Sequence, residues 1–101
     1  MENNEMIAFQ IIASAGGAKG LYLEALEAAK NGDFEAAKAK IEEGDECFTQ
    51  GHKAHADVLT RMANGEEIVM DVLMVHAEDQ MMSTETVKIF VEQLIDLLKK
   101  A

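Results

Sequence analysis

Not one proline occurs in the 101 residues, so nowhere does a pyrrolidine ring remove a backbone amide and force a helix to stop. Ala, Leu, Glu, Lys and Met supply good helix formers along the whole chain, and glycine is left to do the punctuating. Asn31-Gly32 followed by Asp33 joins a left-handed C-terminal stop to an N-cap carboxylate, and Asn64-Gly65 repeats the stop. These signals predict three helices, at about Asn4 to Lys30, Phe34 to Ala63 and Ile68 to Lys99. Two places oppose continuity. The glycines of Ala15-Gly16-Gly17-Ala18-Lys19-Gly20 each cost about 1 kcal/mol against alanine, and Ser83-Thr84-Glu85 has the makings of a second N-cap. The apolar stripe keeps its phase across both, so both helices are expected to run through. Short connections force neighbouring helices to run antiparallel, which gives an all-α domain over residues 1–101.

The stripe advances by alternating steps of three and four, the heptad seam of a left-handed supercoil. The second helix reads Phe34, Ala37, Ile41, Gly44, Phe48, Gly51, His55, Val58 and Met62; the first reads Ile7, Ile11, Ser14, Ala18, Leu21, Ala25 and Ala28. In the third the seam is read as Val69, Leu73, His76, Gln80, Ser83, Val87, Phe90, Leu94 and Leu97, with a second apolar row of Val72, Val75, Met82, Val91 and Leu98 beside it. Two partner helices in one small bundle do not need so wide a face. Surplus apolar surface predicts association with further copies through the third helix.

Charge narrows the function classes. Nineteen Asp and Glu against nine Lys and Arg leave a net charge of −10 and a pI near 4.6, which opposes binding to phosphate backbones or anionic lipid. No run is read as the roughly 18 to 20 apolar residues that cross a bilayer, and the stretch from Met1 to Met6 carries two glutamates where a secretory leader carries lysines. A cytoplasmic address is expected. Cys47 is the single cysteine, so no internal disulfide supports the fold.

The informative residues are the polar ones on or beside the stripe: His55, His76, Asp79 and Gln80. His76 and Asp79 stand three apart on one helix face. A histidine there attacks an electrophile or binds a metal; a buried aspartate must find a partner or take up a proton. As a hydrogen-bonded pair the two would do no more than set helix register, as polar seam residues often do. A metal reading carries less weight, because no histidine has the glutamate three residues before it that a di-iron bundle uses. His52 and His55 have zinc-ligand spacing without an obvious third ligand. The methionines Met70, Met74, Met81 and Met82 read as flexible packing. Cys47 lies in a regular helix with Glu46 beside it, an acidic setting that does not activate a thiol. The glycine segment lacks the Gly-Lys-Ser/Thr ending of a phosphate loop. His76 is the remaining candidate nucleophile.

The run Val75-His76-Ala77-Glu78-Asp79-Gln80-Met81-Met82 resembles the signature of the enzyme IIA component of the lactose/cellobiose type of sugar phosphotransferase system, usually His-Ala-Gln-Asp-His-Leu-Met. Matches extend along the chain: Ile11-Ile12-Ala13-Ser14-Ala15-Gly16, Glu24-Ala25-Leu26, Asn31-Gly32-Asp33-Phe34, His52, and Ala63-Asn64-Gly65-Glu66. The sequence departs from the pattern at Gln80, where histidine is frequent, at Glu78 for glutamine, at His55-Ala56 for Gln-Thr, and at Lys19-Gly20 for Arg-Ser.

The resemblance implies a three-helix subunit that assembles as a trimeric helical bundle. It implies that His76 accepts a phosphoryl group from the phosphocarrier protein HPr and passes it to a cysteine of enzyme IIB, which serves the membrane component, enzyme IIC. It further implies that Asp79 from three subunits gathers around one metal ion, commonly magnesium. Three such carboxylates on a threefold axis would need a cation or protons, and a hard divalent ion with oxygen ligands suits them. Gln80 and His55 are the candidate supporting residues, Gln80 as a hydrogen-bond partner of the ring or phosphate and His55 more simply as a satisfied interior histidine. The competing reading is a helical oligomerisation or adaptor module whose polar seam only selects register.

Overall fold

A computed structural model describes residues 3–101; Met1 and Glu2, the start of the acidic N-terminal stretch noted above, lie outside the described residues. The helices are α1 (Asn4–Lys30), α2 (Phe34–Ala63) and α3 (Val72–Lys100), and the described residues contain no strand. Each begins on a side-chain cap: Asn3 Oδ1 accepts from the Met6 amide at 2.8 Å, Asp33 Oδ1 from Ala36 at 3.0 Å and Asp71 Oδ1 from Met74 at 2.9 Å. Both Asn-Gly stops close as predicted. Gly32 and Gly65 adopt φ of +81° and +84°. The amides that follow, Asp33 and Glu66, reach back to the carbonyls of Ala28 and Arg61, as in a Schellman cap.

The first two helices have the predicted bounds, and neither the glycines of α1 nor Ser83 of α3 interrupts its helix. The third starts later than Ile68. Residues 66–70 carry no regular structure, and Asp71 supplies the cap. The β-branched Ile68 and Val69 favour extended backbone, and Ile68 still packs against the core. Periodic apolar residues upstream of a cap therefore imitate a longer helix.

Helix α1 lies between the other two and packs along both, while α2 and α3 touch sparingly. By length and composition α1 is apolar enough to cross a membrane, unlike the reading above. Here it acts as the core helix, with Ile7, Ile11, Ala15, Ala18, Tyr22 and Ala25 buried. Being covered on two sides, it buries a wider arc than one seam, taking in Ala8, Ala15, Tyr22 and Ala29 as well as Ile7, Ile11, Ser14, Ala18 and Ala25 of the predicted row, whose Leu21 and Ala28 are only partly buried. The approach of α1 to α2 is close. A Cβ on Gly44 would stand 2.5 Å from the Tyr22 ring, and one on Gly51 2.9 Å from Ser14 Oγ. Ser14 uses that proximity: its hydroxyl donates to the Cys47 carbonyl and accepts from the Gly51 amide, two groups a helix ordinarily pairs with each other. On the other side Thr84 Oγ1 donates to the Ala15 carbonyl at 3.0 Å.

The seam predicted for α3 is out of phase. The residues facing α1 are Met74, Ala77, Met81, Thr84, Val91 and Ile95, whereas Phe90, Leu94 and Leu97 face outward with Val72, Val75 and Met82. Both rows are apolar, so periodicity alone did not distinguish them. The second row named above is split: Val91 is buried and Leu98 partly buried, while Val72, Val75 and Met82 are exposed. At the end of α2, Met62 is also exposed.

Candidate functional site

His76 and Asp79 lie near the start of α3, between one and about two helical turns beyond the Asp71 cap, and both are exposed. Neither is on the buried stripe, which is a correction to the phase read from the sequence. A spacing of three places them on one helix face, the outward face that also carries Val72, Val75 and Met82. The Asp79 backbone carbonyl accepts from Ser83 Oγ at 2.7 Å, which leaves its carboxylate clear of that bond. An exposed imidazole in a regular helix is rigidly presented and accessible, the two properties required of a group that meets a phosphorus atom on another protein.

The candidate supporting residues are placed differently from each other. Gln80, one turn after His76, is half-buried, and its Oε1 accepts from Lys19 Nζ of α1 at 3.3 Å. His55 is half-buried on α2, and its Nε2 lies 2.7 Å from Glu78 Oε1. It is thus a satisfied histidine, engaged with the carboxylate two residues from His76. His52 does not join His55: its Nε2 goes to Glu85 Oε1 at 3.1 Å, and its Nδ1 lies 3.1 Å from the Phe48 carbonyl. Among the described residues no group of three His, Cys, Asp or Glu side chains is arranged to hold a metal ion. One copy of Asp79 therefore does not make a site by itself.

A polar constellation that sequence reading missed ties α2 to α3. Tyr22 is fully buried on α1, and its hydroxyl donates to Asp45 Oδ1 at 2.6 Å. Lys88 Nζ reaches the same oxygen at 2.8 Å and stands 5.9 Å from the Tyr22 ring centroid. Burial, then the hydrogen bond to Asp45 and its negative charge, push the phenol above its ordinary value. Burial also works to raise the Asp45 carboxyl, but hydrogen bonds from Lys88 and Tyr22 and the charge of Lys88 outweigh it, and the group is held low. With His52–Glu85 and His55–Glu78, the Asp45–Lys88 pair completes three polar bridges along an antiparallel helix pair that otherwise approaches sparingly. The available signal was the pairing of Tyr22 with Gly44 one helix away, since a ring needs the missing Cβ. The charged partners were hidden among many surface Glu and Lys.

A three-helix subunit presenting an exposed histidine three residues before an aspartate is the arrangement that the resemblance to a helical component of sugar phosphotransferase systems implies. Residues 6–99 match the family described as PTS system, lactose/cellobiose-specific IIA subunit. The chain is 40% identical over 96 residues to the lactose-specific EIIA component of Staphylococcus epidermidis, covering 95% of this chain and 92% of that protein. It is 38% identical over 99 residues to the Lactococcus lactis lactose-specific EIIA component, covering 98% and 94%. Its fold superposes on the crystal structure of the cellobiose-specific enzyme IIA from Bacillus anthracis with a TM-score of 0.93 at 33% identity, covering 99% of this chain and 93% of that one. The chain belongs to the lactose/cellobiose-specific IIA family of the phosphotransferase system, and is in that sense a phosphotransferase component with a phosphocarrier role.

Proposed function

We propose that the chain carries a phosphoryl group on His76, taking it from HPr and giving it to a cysteine of enzyme IIB in the cytoplasm. The supporting observation is the exposure of His76 on a rigid helix, within the motif of a family that the chain matches almost end to end. A neutral imidazole nitrogen attacks the phosphorus in line, and rate comes from positioning and charge stabilisation rather than proton transfer. The phosphoryl group adds roughly −1.5 to −2 charge, by analogy with other phosphoryl modifications, to a chain already at −10. Exposure of the ring lets water and basic patches on the visiting proteins meet that charge.

The assembly belongs to the same proposal. Val72, Val75, Met82, Phe90, Leu94 and Leu97 leave the outward face of α3 apolar and uncovered, and three copies packed through it would bury the middle of that face while His76, at its margin beside half-buried Gln80, stays open at a groove between subunits. Asp79 shares the face. Three copies would bring their carboxylates together as an all-oxygen donor set suited to a hard divalent ion such as Mg2+. That ion supplies positive charge against carboxylate repulsion in the assembly. Each subunit's own contribution is to hold Asp79 on a regular helix three residues from His76.

The test is incubation with HPr phosphorylated by a labelled donor, followed by a search for acid-labile label. The parent is expected to take up phosphate and His76→Ala to take up none. Equal labelling of His76→Ala would show that another residue is the acceptor. A trimer without phosphate uptake would favour the adaptor reading.

A further inference from the structure

An incoming phosphoryl group meets whatever positive charge this acidic chain has left unpaired. Lys30 lies 2.9 Å from Glu27, Lys40 3.7 Å from Glu24, Arg61 3.0 Å from Asp57 and Lys88 2.8 Å from Asp45. In each pair a carboxylate cancels much of the cation's field, and Lys38, Lys53, Lys99 and Lys100, which form no such pair, are exposed and screened by solvent. Lys19 is different. It is half-buried on α1, no carboxylate of the described residues is within ion-pair reach, and its Nζ donates to the neutral Oε1 of Gln80 at 3.3 Å. A neutral acceptor orients an ammonium without neutralising it, and partial burial keeps the field stronger than it is in bulk water.

Gln80 is four residues after His76 on α3, and side chains at that spacing are neighbours, with Cβ atoms about 5–6 Å apart. The Lys19 ammonium therefore approaches α3 beside the candidate nucleophile. Lysine has donors only, so Gln80 turns its oxygen to Lys19 and keeps its NH2 group as a further donor. The α1 surface next to Lys19 is also low. Gly16 and Gly20 are exposed, and nothing lies within 4 Å of where a Cβ would stand on either. A bulky phosphoryl donor meets no side chain at those two positions.

We infer that Lys19, positioned by Gln80, is the chain's own cationic contact for the phosphoryl group on His76; this rests on the carrier reading above. In the transfer, a His76 ring nitrogen uses its lone pair to form the new N–P bond. The donor's N–P bond breaks, and its electron pair returns to the donor's ring nitrogen. Lys19 remains an ammonium throughout, losing no proton and pairing with a phosphoryl oxygen as the charge arrives. Its contribution is largest once the phosphorus has moved to His76, so it favours the loaded carrier.

Rates and extents of labelling from phosphorylated HPr are compared in the parent, Lys19→Met, Lys19→Arg and Gln80→Leu, with helicity and thermal melts run alongside. Lys19→Met is expected to load ~10- to 100-fold more slowly, the loss that follows from one charge-assisted hydrogen bond. Lys19→Arg is expected to recover most of the rate, and Gln80→Leu to fall between them. The loaded parent should also show a 31P resonance that shifts in Lys19→Met and returns towards its position in Lys19→Arg. An unlabelled parent would overturn the carrier reading itself. A labelled parent with an equally fast Lys19→Met would overturn only the role of Lys19, as would failure of Lys19→Arg to recover the rate of a folded Lys19→Met. If Lys19→Met does not fold, Gln80→Leu decides: loading at the parental rate rejects the assignment, and slowed loading with a parental melt supports it.

Discussion

At the scale of single residues, the Tyr22–Asp45–Lys88 contact shows how a buried hydroxyl acquires a function in the fold. Tyr22 is the only tyrosine, and its phenol is held above its ordinary value by burial and by Asp45. A raised folded-state value stabilises the fold fully below the unfolded tyrosine value near 10, and the contribution is lost as pH rises towards the folded value. Asp45 has the opposite sign. Its lowered folded-state value contributes above the ordinary aspartate range and is lost as acid protonates the folded carboxylate. Tyr22→Phe is therefore expected to cost about 1–2 kcal/mol at neutral pH, read by urea unfolding. The gap between parent and variant should narrow above about pH 10. A gap that widens there would contradict the neutral phenol.

At the scale of the helix pair, α1 and α2 depend on side chains that are absent. Gly44 leaves room for the Tyr22 ring, and Gly51 places its amide 2.8 Å from Ser14 Oγ. Adding a methyl group at Gly44 raises intrinsic helix propensity by about 1 kcal/mol, but the ring 2.5 Å away must move in a packed interior. Gly44→Ala is expected to destabilise by about 1–3 kcal/mol net of that gain, with a lower thermal midpoint, while Gly16→Ala, where nothing is within 4 Å, stabilises. Equal effects at the two sites would show that propensity, not helix approach, governs these positions.

At the scale of the whole molecule, the outward face of α3 is the feature a lone subunit leaves unsatisfied. Phe90 is 63% exposed and Val72 86%, in line with surfaces that close on other copies. Phe90→Glu is expected to lower the sedimenting mass without loss of helix. Asp79→Leu should retain or strengthen the assembly while removing any effect of chelator on its melt, because replacing a buried charge by a packed apolar group is often neutral or favourable. A parental melt unchanged in excess chelator would argue against a structural ion, and an unchanged mass for Phe90→Glu would place the contact elsewhere.

From residues alone came the three helices, their continuity, the Asn-Gly stops and the candidate pair His76 and Asp79, because caps, glycine conformations and periodicity are local properties that neighbouring residues express together. The start of α3 at Val72, the direction in which that helix turns its two apolar rows, and the contacts Lys19–Gln80 and Tyr22–Asp45–Lys88 were decided by tertiary packing. The physical reason is the same for each. A helix with two apolar faces has no preferred side until a second helix covers one of them, and a lysine or glutamate acquires a specific partner only when distant turns of chain bring one within reach.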